Sequence, residues 1–311
     1  MAVTSGPLPA PAPASARHAG RPGGVYPHWW RDGRWWREVG WRYVVALVAI
    51  AFAVFPLVYV FNAALSPSGT LTGSNDLFRQ ASAVNFGALM RTQFWRWFAN
   101  TLIIAVTTAA GTLIMGAAAA YAFSRFRFAG RRFGLQALLV VQMFPQILAF
   151  IAIFLLLLAL GDVVPAFGLN SPTALVMVYL GGALGANTFL MYGFFNTVPR
   201  ELDEAAAIDG ASHAQIFWTI ILPLVSPILA TVAVLSFVST FSDFLLAKVI
   251  LQSEQNWTLA VGLYQWVSDQ LSAHWGLFAA GATISALPVL ALFLFLQRYI
   301  VGGITAGSVK A

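Results

Sequence analysis

Six long apolar stretches dominate the sequence, and their length limits what the chain can fold into. They cover about residues 43–62, 99–123, 134–160, 173–195, 223–250 and 276–300. An α-helix needs ~20 apolar residues to cross the hydrocarbon core of a bilayer. Charged residues make up only 9% of the chain, whereas soluble domains carry about a quarter. The sequence therefore predicts an all-α integral membrane protein with six transmembrane helices.

Proline and glycine residues mark kinks and close packing within these predicted spans. Pro56 is expected to kink the first span and Pro145 to interrupt the third, and Pro288 lies inside the sixth. The second span is rich in alanine, threonine and glycine, which permits close contact between helices. Gly181 and Gly185 form a G-x-x-x-G pair in the fourth span, a pattern that favours packing over a direct functional role.

Basic residues are distributed unequally among the segments that connect the spans. Six lie in the amino-terminal tail, four between spans two and three, one in the central loop, two near the carboxyl terminus and four elsewhere. Cytoplasmic segments of membrane proteins carry an excess of lysine and arginine. We therefore expect a multi-pass membrane protein with a membrane domain at 43–300. The tails 1–42 and 301–311 and the central loop are then cytoplasmic, and 63–98, 161–172 and 251–275 are outer segments.

The amino-terminal tail has two parts. Residues 1–25 are rich in proline, alanine and glycine, so we expect them to be disordered. Tryptophans then alternate with arginines through residues 26–42, namely Trp29, Trp30, Trp35, Trp36 and Trp41. Such a pattern occurs in proteins that stack on nucleic acid, but it also anchors membrane proteins at the lipid interface. The first span follows directly, so we favour an interfacial anchor in contact with lipid and expect no nucleic acid partner.

The central loop, residues 197–222, is the longest polar segment in the second half of the chain. Its four acids, Glu201, Asp203, Glu204 and Asp209, lie within nine residues. Pro199 suits a first helical position, and the acids near it favour the positive end of a helix dipole. Gly210 is a natural helix stop, and Ser212 with Gln215 forms a capping box. The sequence predicts two short surface helices joined at Gly210.

The sequence offers little material for catalysis, metal binding or ATP binding. It has no cysteine, and His18, His28, His213 and His274 lack metal-ligand spacing. No G-x-x-x-x-G-K-[ST] motif is present, so we expect no ATP site of that kind, no bound cofactor and no enzymatic activity in this chain.

Ionisable groups are nearly absent from the predicted spans, with Asp243 as the exception. Asp243 is either functional or, as we favour, an interfacial acid bonded to backbone or water. An ion-coupled carrier needs several such groups, so their scarcity indicates another energy source. Three tyrosines line a path or simply pack, and we favour packing: Tyr121, Tyr179 and Tyr192.

One spacing in the central loop resembles the signature of permease subunits of bacterial ABC importers. The pattern E-A-A-x3-G-x9-I-x-L-P is matched by Glu204, Ala205, Ala206, Gly210, Ile220, Leu222 and Pro223. The resemblance implies the type I importer permease fold, in which this loop is a coupling helix seated in a cleft of a separate ATPase that binds ATP and Mg²⁺. It also implies a set of residues that couple to the ATPase: Glu201, Glu204, Ala205, Ala206, Asp209, Gly210, Ile220, Leu222 and Pro223.

The carboxyl-terminal third resembles the carbohydrate importers, in particular the maltose/maltodextrin (MalG-like) family. The likeness lies in the run 256–263, in Ser242-Asp243-Phe244, in Trp275-Gly276 and in the tail. It implies a second MalF-like permease, a homodimeric MalK-like ATPase and an extracytoplasmic sugar-binding protein as partners. Maltose/maltodextrin is then the expected substrate. Trehalose, another oligosaccharide and glycerol-phosphate stay open within the same fold, and an ion-coupled secondary transporter is a more remote alternative.

The same resemblance implies two further contact regions. An outer loop would contact the sugar-binding protein through Ser268, Asp269, Gln270, Leu271, Ser272, Ala273 and His274. The carboxyl tail would contact the ATPase through Thr305, Ala306, Gly307 and Lys310.

Overall fold

The computed structural model describes residues 36–67, 78, 81–268 and 274–307. Throughout this described part the regular structure is helical, in agreement with the predicted all-α class. The expected disordered tail, the tryptophans before Trp36, and residues 269–273 and 308–311 lie outside it. Contacts divide the chain into two units at Pro56, and each unit is described by itself.

The helices follow one another along the chain with short connections. A π-helical turn at Trp36–Gly40 precedes the first of them, and short 3₁₀ turns occur at Pro165–Phe167 and Glu254–Asn256. The helices are α1 Trp41–Leu65, α2 Val84–Leu89, α3 Phe94–Arg125, α4 Arg131–Gln142, α5 Gln146–Val163, α6 Pro172–Phe195, α7 Glu201–Ile208, α8 His213–Leu224, α9 Ser226–Ser242, α10 Leu245–Ile250, α11 Leu259–Gln265 and α12 Trp275–Gly307.

Four helices in the described ranges are individually long and apolar enough to cross a membrane. They are α1, α3, α6 and α12, and they match the first, second, fourth and sixth predicted spans. The third and fifth spans correspond to bent pairs, α4 with α5 at 102° and α8 with α9 at 80°. The described residues therefore contain six candidate spans if each bent pair counts as one. Pro145 lies at the first bend, and Pro223 and Pro227 flank the second. Proline disrupts helical hydrogen bonding, which accounts for the bends at these positions.

One predicted span boundary is wrong. The fifth span is predicted over 223–250, but α9 ends at Ser242 and α10 starts at Leu245. Asp243 between them has an extended backbone with ψ 129°, which stops the helix. The sixth span is predicted over 276–300, close to the candidate span Trp275–Tyr299, and α12 continues past that span to Gly307.

Helix α3 lies at the centre of the second unit. It packs along α6 and α9, and α9 packs along α12. The buried face of α3 carries small residues, including Ala105, Ala109, Ala117 and Ala120. Small side chains let helix backbones approach closely in a membrane, as the composition of this span predicted.

The end of α1 is fastened to α2 within the second unit. The side chain of Asn62 is buried, and its Oδ1 accepts a hydrogen bond from the backbone N–H of Phe78 at 2.7 Å. The Nδ2 group of Asn85 donates to the carbonyls of Ala64 and Ser66 at 3.0 and 2.8 Å. The two bonds from Asn85 satisfy carbonyls at the helix end that would otherwise have no intrahelical partner.

Candidate coupling site and membrane cavity

The first helix of the central loop, α7, begins two residues later than predicted. Arg200 is its N-cap and Glu201 its first residue, so Pro199 precedes the helix instead of occupying its first position. Glu201, Asp203 and Glu204 still lie in the first turn. Their negative charges therefore lie at the positive end of the helix dipole, where they stabilise the helix, as the sequence predicts.

The turn that ends α7 is built as expected around Gly210. This residue has φ of +85°, a left-handed conformation that glycine adopts without strain. The N–H of Ala211 donates to the carbonyl of Ala206 at 2.9 Å, and the N–H of Gly210 donates to that of Ala207 at 3.1 Å. This hydrogen-bond pair is a Schellman motif, which satisfies the carbonyls at the end of the helix.

The second short helix, α8, starts with the predicted capping box. The Ser212 hydroxyl accepts from the N–H of Gln215 at 3.3 Å, and Gln215 Oε1 accepts from the N–H of Ser212 at 2.8 Å. Helix α8 then contains a π-helical turn at Ile216–Ile221 before the bend into α9. We name residues 201–224, which comprise α7, its turn and α8, the coupling segment.

An ion pair ties the coupling segment to the end of α3. Arg125 Nε lies 2.6 Å from Asp203 Oδ2, and the two side chains are 6% and 17% exposed. Arg125 also donates from Nη2 to the carbonyl of Val198 at 3.1 Å, and Arg200 donates from Nη2 to that of Ser124 at 2.6 Å. This anchor was not predicted, because in the sequence Arg125 is only one of the basic residues that indicate topology. The acid at 203, which lies outside the family pattern, was the available clue.

Apolar side chains form a second attachment beneath the coupling segment. Ile216, Ile221 and Val225 are buried in one cluster with residues of α3 and α6. Their partners are Ala117, Ala120, Tyr121, Met191 and Phe195. The coupling segment is therefore attached to α3 by an ion pair and to both α3 and α6 by apolar packing.

The predicted coupling residues fall into a partly buried group and an exposed group. Ala206, Ile220 and Leu222 are partly buried, whereas the other six are exposed: Glu201, Glu204, Ala205, Asp209, Gly210 and Pro223. Ile208, which the sequence analysis did not select, has 87% of its surface exposed beside them. Within the described residues, the carboxylates of the exposed acids form no ion pair. The surface of α7 thus offers unpaired acids around a protruding apolar side chain.

A second feature is a cavity of about 610 Å³ inside the membrane domain. It is bounded by α3, α4, α5, α6 and α9 and by the start of α10. Its polar lining consists of hydroxyl and amide groups, and no charged side chain lines it. Tyr179 lies in its wall, so this tyrosine lines the cavity in addition to the packing role that we favour from the sequence. Tyr121 is buried, as expected, and the hydroxyl of Tyr192 accepts a hydrogen bond from Arg131.

Asp243 is connected to this cavity through Tyr179. Its Oδ1 accepts a hydrogen bond from the Tyr179 hydroxyl at 2.8 Å and another from the backbone N–H of Ala247 at 3.1 Å. The predicted bond to backbone is therefore present, but a tyrosine partner from another helix accompanies it. Asp243 fixes the orientation of the Tyr179 ring at the cavity wall.

The remaining predicted contact regions are described only in part. The outer loop is described at Ser268 and at His274, whose N–H donates to the carbonyl of Trp266 at 2.8 Å; Asp269, Gln270, Leu271, Ser272 and Ala273 lie outside the described residues. Thr305, Ala306 and Gly307 belong to α12, and Lys310 lies outside. No group of three or more His, Asp and Glu side chains close enough to hold a metal occurs among the described residues.

Comparison with solved structures supports the fold. A bacterial ABC transporter involved in the import of the acidic polysaccharide alginate superposes with a TM-score of 0.71 at 24% identity. The match covers 86% of this chain and 98% of that chain. At this level of identity the likeness establishes the ABC transporter permease fold.

Comparison with known sequences establishes the family. The galactooligosaccharides transport system permease protein GanQ of Bacillus subtilis is 38% identical, over 86% of this chain and 94% of its own length. The maltose/maltodextrin transport system permease protein MalG of Escherichia coli is 36% identical with the same coverage. Residues 112–305, which include the coupling segment and most of the cavity lining, match the family described as binding-protein-dependent transport system inner membrane component. The chain is a member of that family of membrane permeases.

Proposed function

We propose that the chain is the permease subunit of an ATP-driven importer that moves maltose/maltodextrin-type sugars into the cytoplasm. The observation that carries this proposal is the exposed surface around α7, where Ile208 lies one helical turn after the unpaired Glu204 and next to Asp209 in the chain. An exposed apolar side chain at a polar rim is typical of a docking surface for another protein. The names of relatives that are 36–39% identical support the sugar class.

The proposed partner of this surface is a homodimeric MalK-like ATPase on the cytoplasmic side. That partner would bind ATP and Mg²⁺, and its closure on ATP would move the cleft that holds α7. Because Asp203 is paired with Arg125, the motion reaches α3 directly. Because Ile221 and Val225 pack in the cluster beneath, it also reaches α6 and α9. The coupling segment would then act as a lever that switches the cavity between inward-facing and outward-facing states.

The remaining partners complete the importer. A second, MalF-like permease would pair with this chain, and an extracytoplasmic sugar-binding protein would deliver the substrate. The outer loop 268–274 would contact the binding protein, and the tail from Thr305 to Lys310 would contact the ATPase. Trehalose, another oligosaccharide and glycerol-phosphate are the alternative substrates within the same mechanism.

The test is the ATPase activity of the complete purified complex in lipid, with and without sugar-loaded binding protein. We expect strong stimulation by maltose or maltodextrin. Stimulation by a different sugar alone would retain the importer and its coupling segment but replace the substrate. An absence of any associated ATPase would overturn the proposal and favour the ion-coupled carrier.

A further inference from the structure

We propose that a second cavity, of about 370 Å³, binds the phosphate headgroup of an anionic phospholipid. The turn between α3 and α4 and the start of α4 form its wall, and we name it the basic cavity. Its lining residues are Arg127, Phe128, Gly130, Arg131, Arg132 and Phe133. The inference goes beyond the proposed function, because it assigns a lipid partner and involves neither a sugar nor an ATPase.

The positive charge of the basic cavity has no internal counter-charge. Arg127 and Arg132 are exposed, and neither side chain forms a hydrogen bond or an ion pair with any described residue. The sequence has no Asp or Glu between Asp76 and Asp162. Like charges that line one cavity repel each other, so an anion bound between them would be favoured.

The third arginine is held in position by a neighbouring helix. Arg131 donates from Nη2 to the hydroxyl of Tyr192 on α6 at 3.1 Å, and its guanidinium carbon lies 5.9 Å from the centre of the same ring. A side chain that is already ordered loses little conformational freedom when it binds a ligand. Guanidinium groups bind phosphate oxygens through paired N–H donors, so the basic cavity has the chemistry of a phosphate site.

Exposed apolar groups beside the arginines indicate that the phosphate belongs to a lipid. Phe128 and Phe133 are 47% and 75% exposed. Helix α4 begins at Arg131 as the first part of the third candidate span, and Val141, about three turns further along, is 69% exposed. Arginines and aromatic rings occur together at the lipid interface, where the charge meets the headgroup and the ring meets the acyl chains. A soluble anion would gain only the first of these contacts.

The basic cavity adjoins the coupling segment on the same face of the membrane domain. Arg125 pairs with Asp203 in α7, and the ring of Phe126 lies edge-on to His213 at the start of α8, with 5.1 Å between the ring centres. Arg127, the first cavity residue, follows directly. A bound headgroup would therefore restrain a turn that contacts both helices of the coupling segment. An anionic lipid should then raise the stability of the folded protein.

Titration with phosphatidylglycerol tests the site. The chain is purified in detergent with the subunits that accompany it, without sugar or nucleotide, and bound lipid is counted by native mass spectrometry. The test variant is Arg127→Gln with Arg132→Gln, which removes the two charges that have no internal partner. We expect its affinity for the lipid to fall roughly 25-fold, at about fivefold for each arginine near an anionic headgroup.

Three controls separate a site from general attraction to charge. Arg91→Gln removes another exposed arginine without a side-chain partner in the described structure, just before the opposite end of α3, and should leave the affinity unchanged. Zwitterionic phosphatidylcholine should bind the wild type and the double variant equally. Inorganic phosphate should fail to displace the lipid, because it has no acyl chains; full displacement would assign the cavity to a soluble anion and overturn the lipid site.

Thermal unfolding checks that the double variant is folded. Because both side chains are exposed and unpaired, its unfolding midpoint without lipid should equal that of the wild type. Phosphatidylglycerol should raise the midpoint of the wild type and of Arg91→Gln, and should raise that of the double variant much less. If the double variant unfolds early, Arg127→Gln and Arg132→Gln as single variants replace it, each with a loss of affinity of about fivefold.

The remaining outcomes distinguish the lipid site from other roles of the arginines. Equal affinity of the wild type and the double variant for phosphatidylglycerol, or an equal loss in Arg91→Gln, would overturn the site. Weaker association of the double variant with the ATPase, with lipid affinity unchanged, would assign the arginines to a protein contact instead. None of these measurements depends on sugar transport, so the lipid site and the proposed function fail or stand separately.

Discussion

The two ends of helix α6 are built in opposite ways. Its 24 residues extend about 36 Å at ~1.5 Å per residue. At one end, the coupling segment leaves Ile208 87% exposed and leaves its outer acids without ion pairs in the described structure. At the other end, the loop before α6 and the loop after α10 satisfy each other through Asn170. The coupling segment thus leaves its acids unpaired where a partner would dock, whereas the polar groups around Asn170 bond to each other.

Asn170 is the centre of the second arrangement, which we name the Asn170 lock. It has φ of +61°, and its Oδ1 accepts from the N–H groups of Gln252 and Ser253 and from the Ser253 hydroxyl. Its own N–H donates to the carbonyl of Ile250 at 2.7 Å, and its carbonyl accepts from Asn256 at 2.7 Å. These bonds join two loops that are distant in sequence. Changes at the lock should therefore affect stability, and changes at the coupling segment should affect energy transfer.

The largest effect is expected for Gly210→Pro. Proline requires φ near −65°, so it cannot adopt the +85° of this turn, and it removes the N–H that bonds to Ala207. We expect sugar uptake and sugar-stimulated ATPase activity to be abolished while the protein still inserts in the membrane. Asparagine tolerates the left-handed region, so Gly210→Asn is the control and should retain most uptake. Wild-type activity in Gly210→Pro would refute the lever mechanism.

Asp203→Leu should have the next largest effect, because it breaks the anchor between the coupling segment and α3. Arg125 would remain 6% exposed without its counter-charge, and breaking a buried pair costs roughly 3–5 kcal/mol. We expect a lower thermal unfolding midpoint of the complex and weaker coupling of ATPase activity to sugar. The double variant Arg125→Met with Asp203→Leu removes both charges, so it should regain much of the stability. An unfolding midpoint equal to that of Asp203→Leu would argue against the ion pair as the cause.

Asn170→Ala tests the other side of the comparison. It removes an acceptor of three hydrogen bonds. Alanine also tolerates the φ of +61° at this position less well than asparagine does. We expect a loss of about 2–3 kcal/mol in the free energy of unfolding, at ~1 kcal/mol per bond, with uptake per assembled complex unchanged. Asn170→Asp keeps the acceptor oxygen and should be closer to wild type. A loss of coupling in Asn170→Ala without a loss of stability would contradict the distinction between the two ends.

Ile208→Ser should have the smallest effect. Because Ile208 is 87% exposed, its loss should change the stability of this chain by less than ~0.5 kcal/mol. Burial of an isoleucine in an interface contributes about 1.5–3 kcal/mol, so the affinity for the ATPase should fall at least tenfold. Val163→Ser is the control, because Val163 is 77% exposed at the end of α5, outside the coupling segment. The affinity of the Val163→Ser variant for the ATPase, measured by titration of the solubilised permease pair, should be unchanged.

Much of the fold and of the coupling segment was predictable because the signals are local. A span of ~20 apolar residues has few alternatives to a membrane helix, and four spans are single helices at the predicted positions. Gly210 and the Ser212–Gln215 pair specify a turn and a helix start by their own conformational preferences. The errors also have local causes: Pro199 was placed in a helix that starts at Glu201, and Asp243 ends a helix that was extended through it.

The membrane class, the approximate positions of the spans and the two-helix form of the coupling segment follow from local sequence. The charge that anchors that segment depends on tertiary structure, since Arg125 and Asp203 meet only after α3 and α7 have packed. The same holds for the cavity, whose wall draws on six helices, and for the Asn170 lock, which joins two loops. Helix formation depends on neighbouring residues along the chain. Ion pairs and cavities depend on the relative placement of whole helices, which local sequence does not encode.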